Sequence, residues 1–369
     1  MDFTYSEEQR MLADSLRRFV ESEYTFEKRR RNAREHGSFD RDIWSSLAEM
    51  GVLGLAVPAD HDGFGHGSAS QVVVQRELGR ALVQEPVIPS GVIATAILAH
   101  HAPVALQAEW LPAIASGDKI FTLAYLEPDS RYRPEVARTT ARKAGADGYV
   151  LNGRKSVVWH GAVADTYIVS AMLDGALALF LVSRDATGLT VTGYPTMDRL
   201  SGADLQLADV PATLVTTNGL EALELGLDHG VAAQCAAAAG AIERLIEITA
   251  EYLGTRKQFG KPLASFQALQ HRVADMLLQK ELALSMAYVA AQGLDATDAA
   301  ERRRKVSAAK VVTAKAARFA GQQAVQLHGG MGMTDELAVG DYFKALTMVD
   351  VLLGDTDLHL ERYGEAMAA

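Results

Sequence analysis

The spacing of the apolar residues changes twice along the chain, and this limits the folds that the chain can adopt. The first part is helical. Ser6 and Gln9 form a capping-box pattern, and helical spacing then continues, with Gly and Pro breaks, to about residue 116. The apolar residues of the opening helix recur on one face: Leu12, Leu16, Phe19 and Val20. The pattern predicts an N-terminal helical domain over residues 1–117.

The middle of the chain has the pattern of strands. Short β-branched or apolar runs such as TYIVSAML and ALALFLVS alternate with Gly, Asp and Asn, which predicts an antiparallel β domain over residues 118–219. The helical period then returns, which predicts a helical bundle domain over residues 220–369. Two apolar faces support the bundle: Leu269, Val273, Met276 and Leu277, and Ala309, Val312, Ala316 and Phe319. The fold class is therefore α+β, and 369 residues are enough for three domains.

The charge balance and the cysteine count exclude several classes of protein. With 36 Lys+Arg against 46 Asp+Glu the formal net charge is −10, so nucleic acid and anionic membrane surfaces are not expected as partners. The single cysteine, Cys235, cannot form a disulfide within the chain. The sequence has neither a signal-peptide pattern nor a long uninterrupted apolar run, so we expect a cytoplasmic protein without a membrane segment.

The common motifs of hydrolytic and nucleophilic catalysis are missing. The sequence contains no Walker loop, GxSxG or HExxH, and its ten histidines show no metal-ligand spacing. The GFGHG segment is not a dinucleotide fingerprint, because no strand pattern precedes it. We therefore expect neither metal hydrolysis nor serine or cysteine nucleophile chemistry, and no bound metal.

Two segments of the predicted bundle carry the candidate site. YLGTRKQFGKPL combines a planar guanidinium with an aromatic ring, and an amide follows in the next helix. QLHGGMG has paired glycines that let a ligand approach the backbone closely. These residue types suit an anionic nucleotide, and a helix end with a solvated basic cluster explains the same spacing. The candidate binding residues are Arg256, Phe259, Gln267, Gln326, Gly329 and Gly330.

The order of the segments resembles the acyl-CoA dehydrogenase family over nearly the whole chain. TRKQFGKPLASFQALQHRVADM and QLHGGMGMT match its bundle motifs in the right order and at the right separation. FDRDIWSSLAEMGVLGLAVPADHDGFG and RELGRAL are similar to its N-terminal domain, and YVLNGRKSVV is similar to its middle domain. The resemblance implies an N-terminal helical domain, a middle antiparallel β-barrel domain and a C-terminal four-helix-bundle domain.

The resemblance also implies a reaction. In this family a carboxylate base removes the α-proton of an acyl-CoA thioester while a hydride passes from Cβ to FAD, and electron-transfer flavoprotein is the expected electron acceptor. By position, Arg256 would bind the FAD pyrophosphate. Family members use these residues for the FAD of a neighbouring subunit, so an oligomer is implied. The residues that would contact or line the ADP part are Phe259, Gln267, Gln326, Gly329 and Gly330.

The two positions that hold the catalytic base in this family lack a carboxylate here. Counting from the paired glycines places the usual glutamate at Leu353, in VLLGDTD, and leucine cannot accept a proton. The alternative position, on the helix before the RxxFG motif, falls at Gly230. Asp355 stands where the family has a short polar residue near the flavin nucleotide, so we expect it to bind rather than to act as a base. The substitutes for the base are Asp355, Asp350 and Asp228.

The segments that would surround the flavin ring are also altered. LEPDSRYRPE replaces a TEPxAGSD-like loop and keeps only Glu127 and Pro128 of its start. Residues 157–159 read VVW where the family has a WIT-like segment, so Trp159 replaces the threonine that hydrogen-bonds flavin N5. The surviving motifs belong to the half-site that serves a neighbour's FAD, and the altered ones belong to the half-site of the subunit's own flavin.

This division resembles the companion subunits of heteromeric acyl-CoA dehydrogenases of dicarboxylate and steroid side-chain degradation, which form α2β2 assemblies. The first hypothesis is therefore a companion subunit that contributes ADP-side contacts to FAD while an acyl-CoA dehydrogenase-like partner supplies the base. The second is an independent homomeric enzyme with a relocated aspartate base. The third is a scaffold that binds neither flavin nor substrate.

Overall fold

The computed structural model describes residues 5–35, 37–145 and 148–368, and helices, strands and helices follow one another along them. The helices are α1 (Glu7–Glu23), α2 (Phe26–Glu35), α3 (Arg41–Glu49), α4 (Ser68–Arg80), α5 (Thr95–His101), α6 (Val104–Ala115), α7 (Gly219–Thr255), α8 (Gln267–Leu294), α9 (Ala299–His328), α10 (Val339–Met348) and α11 (Thr356–Ala368). The strands are β1 (Phe121–Ala124), β2 (Thr140–Ala144), β3 (Gly148–Trp159), β4 (Thr166–Leu173), β5 (Ala176–Ser183), β6 (Leu189–Pro195), β7 (Ser201–Thr216), β8 (Lys257–Gln258) and β9 (Lys261–Pro262).

The first helix begins as the sequence predicts. The Ser6 side chain accepts a hydrogen bond from the Gln9 amide, and the Gln9 side chain accepts one from the Ser6 amide, each at 3.1 Å. This reciprocal capping box satisfies two amides that a helix start would otherwise leave unpaired. Of the predicted apolar face, Leu16 and Val20 are buried, and Leu12 and Phe19 are partly buried.

The β domain closes into a barrel. Among the described residues, strand pairing runs from β4 through β2, β3, β7 and β5 back to β4, while β1 flanks β4 and β6 flanks β7. Most pairs are antiparallel, as predicted, but β4 pairs parallel with both β1 and β2. Long connections rather than hairpins join these strands in the chain, and such connections permit parallel pairing. The barrel prediction is confirmed, and the parallel pairs are an addition to it.

The fold divides into two compact units. The helical unit consists of Met1–Arg30, Ser68–Val83 and Val231–Ala369, and the sheet unit consists of Arg31–Gly67 and Gln84–Gly230. Helices α1 and α4, from the N-terminal part of the chain, thus belong with the C-terminal helices α8 to α11. In the described part of the chain, no helix combines the length and the apolar character needed to cross a membrane.

Inside the helical unit, α4 and α7 cross at two glycines. A Cβ on Gly79 would lie 2.0 Å from the Ala237 carbonyl oxygen, and a Cβ on Gly240 would lie 1.9 Å from the Arg76 carbonyl oxygen. The two backbones therefore touch where other helix pairs place side chains. On one side of the crossing Arg76 donates two hydrogen bonds to Glu243, each of 2.9 Å.

The apolar faces predicted for the bundle are only partly correct. Met276 of α8 is fully buried, but its neighbour Leu277 is 45% exposed. Consecutive residues lie about 100° apart around a helix, so Leu277 lies off the face on which Met276 is buried. On α9, Ala309 and Ala316 are buried as predicted, and Lys310, beside them in sequence, is fully buried as well.

Candidate functional site

A two-stranded hairpin follows the end of α7. The amide of Arg256 donates to the Tyr252 carbonyl at 2.9 Å, and β8 then pairs with β9. Phe259 and Gly260 form the tip with φ angles of 56° and 78°. Two consecutive positive φ angles are typical of a type I′ turn, which normally has Asn or Gly at the first position. A phenylalanine in this conformation is strained, and its ring is 89% exposed.

The hairpin is braced against the start of α8. The Phe259 ring meets the Phe266 ring edge to face, with 6.1 Å between centroids. Lys261 places its ammonium 4.3 Å from the centroid of the same Phe266 ring. Aromatic and cation–π contacts of this kind contribute about 0.5–1.5 kcal/mol each. Gln267, the first residue of α8, is exposed beside this pair.

The second predicted segment closes α9. Gly329 has a φ of 58° and donates its amide to the Gln326 carbonyl, which ends the helix. A Cβ on Gly329 or Gly330 would meet no atom within 4 Å, so both glycines face open space. The backbone here is therefore accessible to a ligand, as the paired glycines predict.

One aromatic stack brings the two segments together. The Tyr252 ring, one turn before Arg256, lies on the His328 ring with 4.3 Å between centroids and 28° between planes. The Tyr252 hydroxyl also donates to the His328 carbonyl at 3.3 Å. Burial lowers the pKa of His328, and its Nδ1 donates to the Ala324 carbonyl at 2.8 Å. A neutral imidazole thus links the hairpin to the end of α9.

We call six of the seven predicted binding residues the open surface: Arg256, Phe259, Gln267, Gln326, Gly329 and Gly330. The seventh, Asp355, lies in the turn before α11. All six residues of the open surface are exposed. The polar side chains of Arg256, Gln267 and Gln326 make no hydrogen bond with any described residue. Their hydrogen-bonding capacity is therefore available to a ligand or to water, beside an exposed ring and unobstructed glycines.

The segment between α10 and α11, residues 349–355, is called the base turn here because it contains Leu353. Leu353 has a φ of 61° and is 9% exposed. Its carbonyl accepts a hydrogen bond from His359 Nε2 at 3.0 Å, and His359 Nδ1 accepts one from the Ser307 hydroxyl at 3.2 Å. Burial, together with the nearby Lys310 ammonium, lowers the pKa of His359 to about 3, so this ring is neutral. The leucine side chain at position 353 cannot take a proton.

A buried lysine of α9, Lys310, also holds the base turn. Lys310 Nζ donates to the carbonyls of Val349 and Leu352, at 2.5 and 2.6 Å, and to Gln234 Oε1 at 2.5 Å. All three acceptors are neutral oxygens. Burial lowers the pKa of Lys310 to about 8, because charge is costly in a site without solvent. Sequence reasoning missed this lysine, which lies in an alanine-rich helix.

The two aspartates of the base turn have structural roles. Asp350 pairs with Arg318, and its Oδ1 accepts hydrogen bonds from the Thr356 amide and hydroxyl at 2.9 and 2.5 Å. Asp355 Oδ1 accepts from the Leu358 amide at 2.9 Å, which caps the start of α11. Both carboxylates line a pocket of about 270 Å³ that also contains Lys315. Asp228, on the part of α7 in the sheet unit, is 1% exposed.

In the sheet unit, Glu127 has a structural partner that sequence reasoning did not single out. Lys155 Nζ donates to Glu127 Oε1 at 2.6 Å and to the Ser170 hydroxyl at 3.0 Å, with the lysine fully buried. The Glu127 carboxylate also accepts from the backbone amides of Arg138 and Thr139, at 2.6 and 3.1 Å. Burial opposes ionisation of Glu127, but the hydrogen bond and charge of Lys155 together with the hydrogen bonds from Arg138 and Thr139 outweigh it and lower the pKa of Glu127. This ion pair fixes the start of the LEPDSRYRPE loop to the barrel.

The VVW segment, residues 157–159, contains no side-chain hydroxyl. Val157 has a φ of 51° and donates its amide to Asp204 Oδ1 at 3.0 Å. Trp159 Nε1 and the adjacent His160 Nδ1 are buried without a hydrogen-bond partner among the described residues. Burial lowers the pKa of His160 to about 3. Such groups are completed by an ordered water or by a ligand.

No three His, Cys, Asp or Glu side chains of the described ranges lie where they could hold one metal ion together. The arrangement instead combines a guanidinium, two amides, an exposed ring and two open glycines. These groups can bind a phosphate group and the edge of an adenine ring.

Three family models match consecutive parts of the chain. They describe the acyl-CoA dehydrogenase N-terminal domain at residues 6–118, the middle domain at 122–210 and the C-terminal domain at 217–368. The open surface and the base turn both lie in the part that matches the C-terminal domain.

Known proteins resemble the chain over its whole length. Acyl-CoA dehydrogenase FadE27 of Mycobacterium tuberculosis is 32% identical over 100% of this chain and 99% of its own. A chain of the ChsE4-ChsE5 complex from Mycobacterium tuberculosis superimposes with a TM-score of 0.89 at 29% identity, covering 100% of this chain and 99% of that one. A chain of the Tcur3481-Tcur3483 steroid ACAD gives a TM-score of 0.90 at 29% identity, with 98% of both chains covered. The chain belongs to the acyl-CoA dehydrogenase family.

Proposed function

We propose that this chain is the companion subunit of a heteromeric acyl-CoA dehydrogenase. The family is FAD-dependent and carries out oxidoreductase chemistry on acyl-CoA thioesters. In the proposed assembly this chain binds the ADP side of an FAD, and an acyl-CoA dehydrogenase-like partner subunit supplies the carboxylate base. When bound, FAD supplies the acceptor for the hydride that leaves Cβ of the acyl group.

The observation that carries this proposal is the contrast between the open surface and the base turn. The open surface keeps every polar side chain free of partners among the described residues, whereas the base turn has lost its proton acceptor at Leu353. A subunit with this combination can bind a nucleotide, but it cannot start the reaction by itself.

The open surface fits the ADP part of FAD. The Arg256 guanidinium matches a pyrophosphate, because its fork of N–H donors can make two parallel charge-assisted hydrogen bonds. No Cβ stands over Gly329 and Gly330, so a phosphate or ribose can approach the backbone. Phe259, held at the hairpin tip with its ring 89% exposed, can cover an adenine ring.

The remaining aspartates do not replace the base readily. Asp350 is held by Arg318 and Thr356, and Asp355 is committed to the cap of α11. A base must reach the α-carbon directly or through one water, and an aspartate that leaves these contacts would break the turn. This argues against the independent homomeric enzyme, although it leaves that alternative as an outcome of the experiment below.

The comparisons support a heteromer through two structures. The ChsE4-ChsE5 structure is a complex, and the steroid ACAD structure is likewise named for two chains, Tcur3481 and Tcur3483; each contains a chain that is 29% identical to this one. We extend to this chain the assembly of two different subunits and, from the second structure, a steroid-type or similarly bulky acyl group. The electron acceptor that we propose is electron-transfer flavoprotein.

We further propose that the chain functions as three domains, over residues 1–117, 118–219 and 220–369. In this division the last domain carries the open surface and the base turn. The middle domain carries the altered loop at Glu127 and the VVW segment.

Co-expression tests the proposal. The chain is produced alone and together with an acyl-CoA dehydrogenase-like protein encoded beside it, and FAD is quantified per subunit. We expect little FAD on the chain alone and one FAD per pair of different subunits in the complex. One FAD per chain in the isolated protein, reduced by an acyl-CoA, would establish the homomeric enzyme. A complex without flavin would instead indicate a scaffold.

A further inference from the structure

The base turn is held in place although it has lost its base. Three of its carbonyl groups are bound: Lys310 donates to those of Val349 and Leu352, and His359 donates to that of Leu353. The turn is thus held by a fully buried ammonium, although burial of an ammonium is unfavourable unless its donors are satisfied.

The partners of Lys310 are unusual for a buried cation. No carboxylate of the described residues lies within ion-pair distance of its Nζ, and Asp350, the nearest acid in sequence to the contacted carbonyls, pairs with Arg318 instead. An ammonium has three donors, and here all three are used on neutral oxygens. A neutral amine would keep only two donors, so at least one of these contacts depends on the proton.

We propose that Lys310 is a positioning residue whose ammonium proton keeps the base turn closed, so that deprotonation of this one amine releases the turn. The contacts tie three elements together, because Gln234 belongs to α7, Lys310 to α9 and the two carbonyls to the turn before α11. Release of the turn would free Asp355 from the start of α11 and widen the pocket beside Asp350. The inference concerns the turn itself and does not depend on the proposed heteromer.

The groups around Lys310 set the pH range. Burial lowers the pKa of Lys310 to about 8, and the carboxylates of Asp350 and Asp355 on the turn oppose this shift. The Cys235 thiol of α7 faces the same amine. His359, from α11, faces the same site and stays neutral, since its pKa is about 3. Burial raises the pKa of Cys235, so this thiol remains protonated near pH 8. Lys310 is therefore the group in this cluster that titrates between pH 7 and 9.

Hydrogen exchange of the full chain tests the inference without FAD or a partner. Protection factors of the amides in residues 350–358 are measured by millisecond exchange and mass spectrometry between pH 7 and 9, after correction for intrinsic rates. We expect protection in the wild type to fall about tenfold or more across this range, with a midpoint near pH 8. Peptides of α8 should keep the same protection throughout.

Two variants separate positioning from general stability. Lys310→Met should show low protection of the turn at every pH and no step near pH 8. Lys315→Met, which removes an exposed lysine from the same helix, should keep the wild-type profile. If Lys310→Met does not fold, the wild-type profile decides alone. Equal protection at pH 7 and 9 in the wild type, or the same step in Lys310→Met, would show that the Lys310 proton does not hold the turn.

Discussion

The open surface and the base turn lie in the same helical unit, but they use their polar groups in opposite ways. On the open surface Arg256, Gln267 and Gln326 are exposed and have no hydrogen-bond partner among the described residues. Lys310 and His359, which hold the base turn, use all their hydrogen-bond donors within the protein. One region leaves its polar groups available to solvent or a ligand, and the other uses its polar groups within the protein.

The largest effect is expected when the base turn is forced back to the family pattern. Leu353→Glu would place a carboxylate at a position that is 9% exposed, where burial raises the pKa of the acid. We expect a loss of about 2–3 kcal/mol in the free energy of unfolding, measured by urea titration. We also expect no reduction of flavin by an acyl-CoA in the isolated protein.

The uncharged variant Leu353→Gln is the matched control, since it has nearly the same shape and no carboxylate. It should lose less stability than Leu353→Glu at pH 8. Flavin reduction in the isolated Leu353→Glu protein would contradict this expectation, because it would show that the turn can hold a working base.

The next largest effect concerns the open surface. Arg256→Ala should weaken FAD binding to the assembled heteromer by about 1.5–3 kcal/mol, because a charge-assisted contact to the pyrophosphate is lost. Isothermal titration of the flavin-stripped complex measures this difference. Stability of the chain should hardly change, since the guanidinium has no partner in the described structure.

Lys257→Ala, one position along the hairpin, is the control and should leave FAD affinity nearly unchanged. Arg256→Lys should recover only part of the affinity, because an ammonium cannot make the bidentate contact. Unchanged affinity in Arg256→Ala would mean that the open surface is a solvated helix end.

The capping box of α1 and the helix ends at the hairpin and at the paired glycines were predictable because the residues of each are neighbours in sequence. Ser6 and Gln9 are three residues apart, and the hairpin and the paired glycines are contiguous motifs. The role of Lys310 was not predictable, because its carbonyl partners come 39 and 42 residues later. A lysine among alanines carries no local signal of burial. Likewise, the parallel pairing of β1 with β4 depends on tertiary packing and not on the pattern of either strand.

A third prediction concerns the loss of stability at acidic pH. The pKa of His359 is about 3 in the folded protein and about 6.5 when unfolded, so the folded state excludes a proton that the unfolded state binds. The contribution of the neutral His359 ring to the free energy of unfolding is complete above pH 6.5 and is lost as the pH falls toward 3. Between pH 7.5 and 5.0 the loss is roughly 2 kcal/mol, at about 1.4 kcal/mol per pH unit below 6.5.

Urea midpoints at these two pH values measure this loss. His359→Gln should show a smaller difference between them than the wild type, whereas His271→Gln, which changes an exposed histidine, should not. His160 in the sheet unit has the same low pKa, so a residual pH dependence is expected in His359→Gln. An undiminished difference in His359→Gln would show that the turn is not held by a neutral imidazole.

The smallest effect is expected at Asp355. Asp355→Asn keeps an oxygen that can cap α11, so stability should change by less than about 1 kcal/mol. Turnover of the heteromer should change only a few-fold, because Asp355 acts as a cap in the base turn. Turnover of the Asp355→Asn heteromer is measured after its FAD content has been shown to equal that of the wild type. A loss of several orders of magnitude would identify Asp355 as the base and favour the homomeric enzyme.

The crossing of α4 and α7 constrains how this chain can change over evolutionary time. Gly79 and Gly240 each lie against the backbone of the opposite helix, so any side chain at either position would collide with a backbone carbonyl group unless the two helices moved apart. A change at the other glycine cannot relieve either collision, because each collision is with a backbone carbonyl. The separation of α4 and α7 is therefore a fixed dimension for any variant that keeps this crossing.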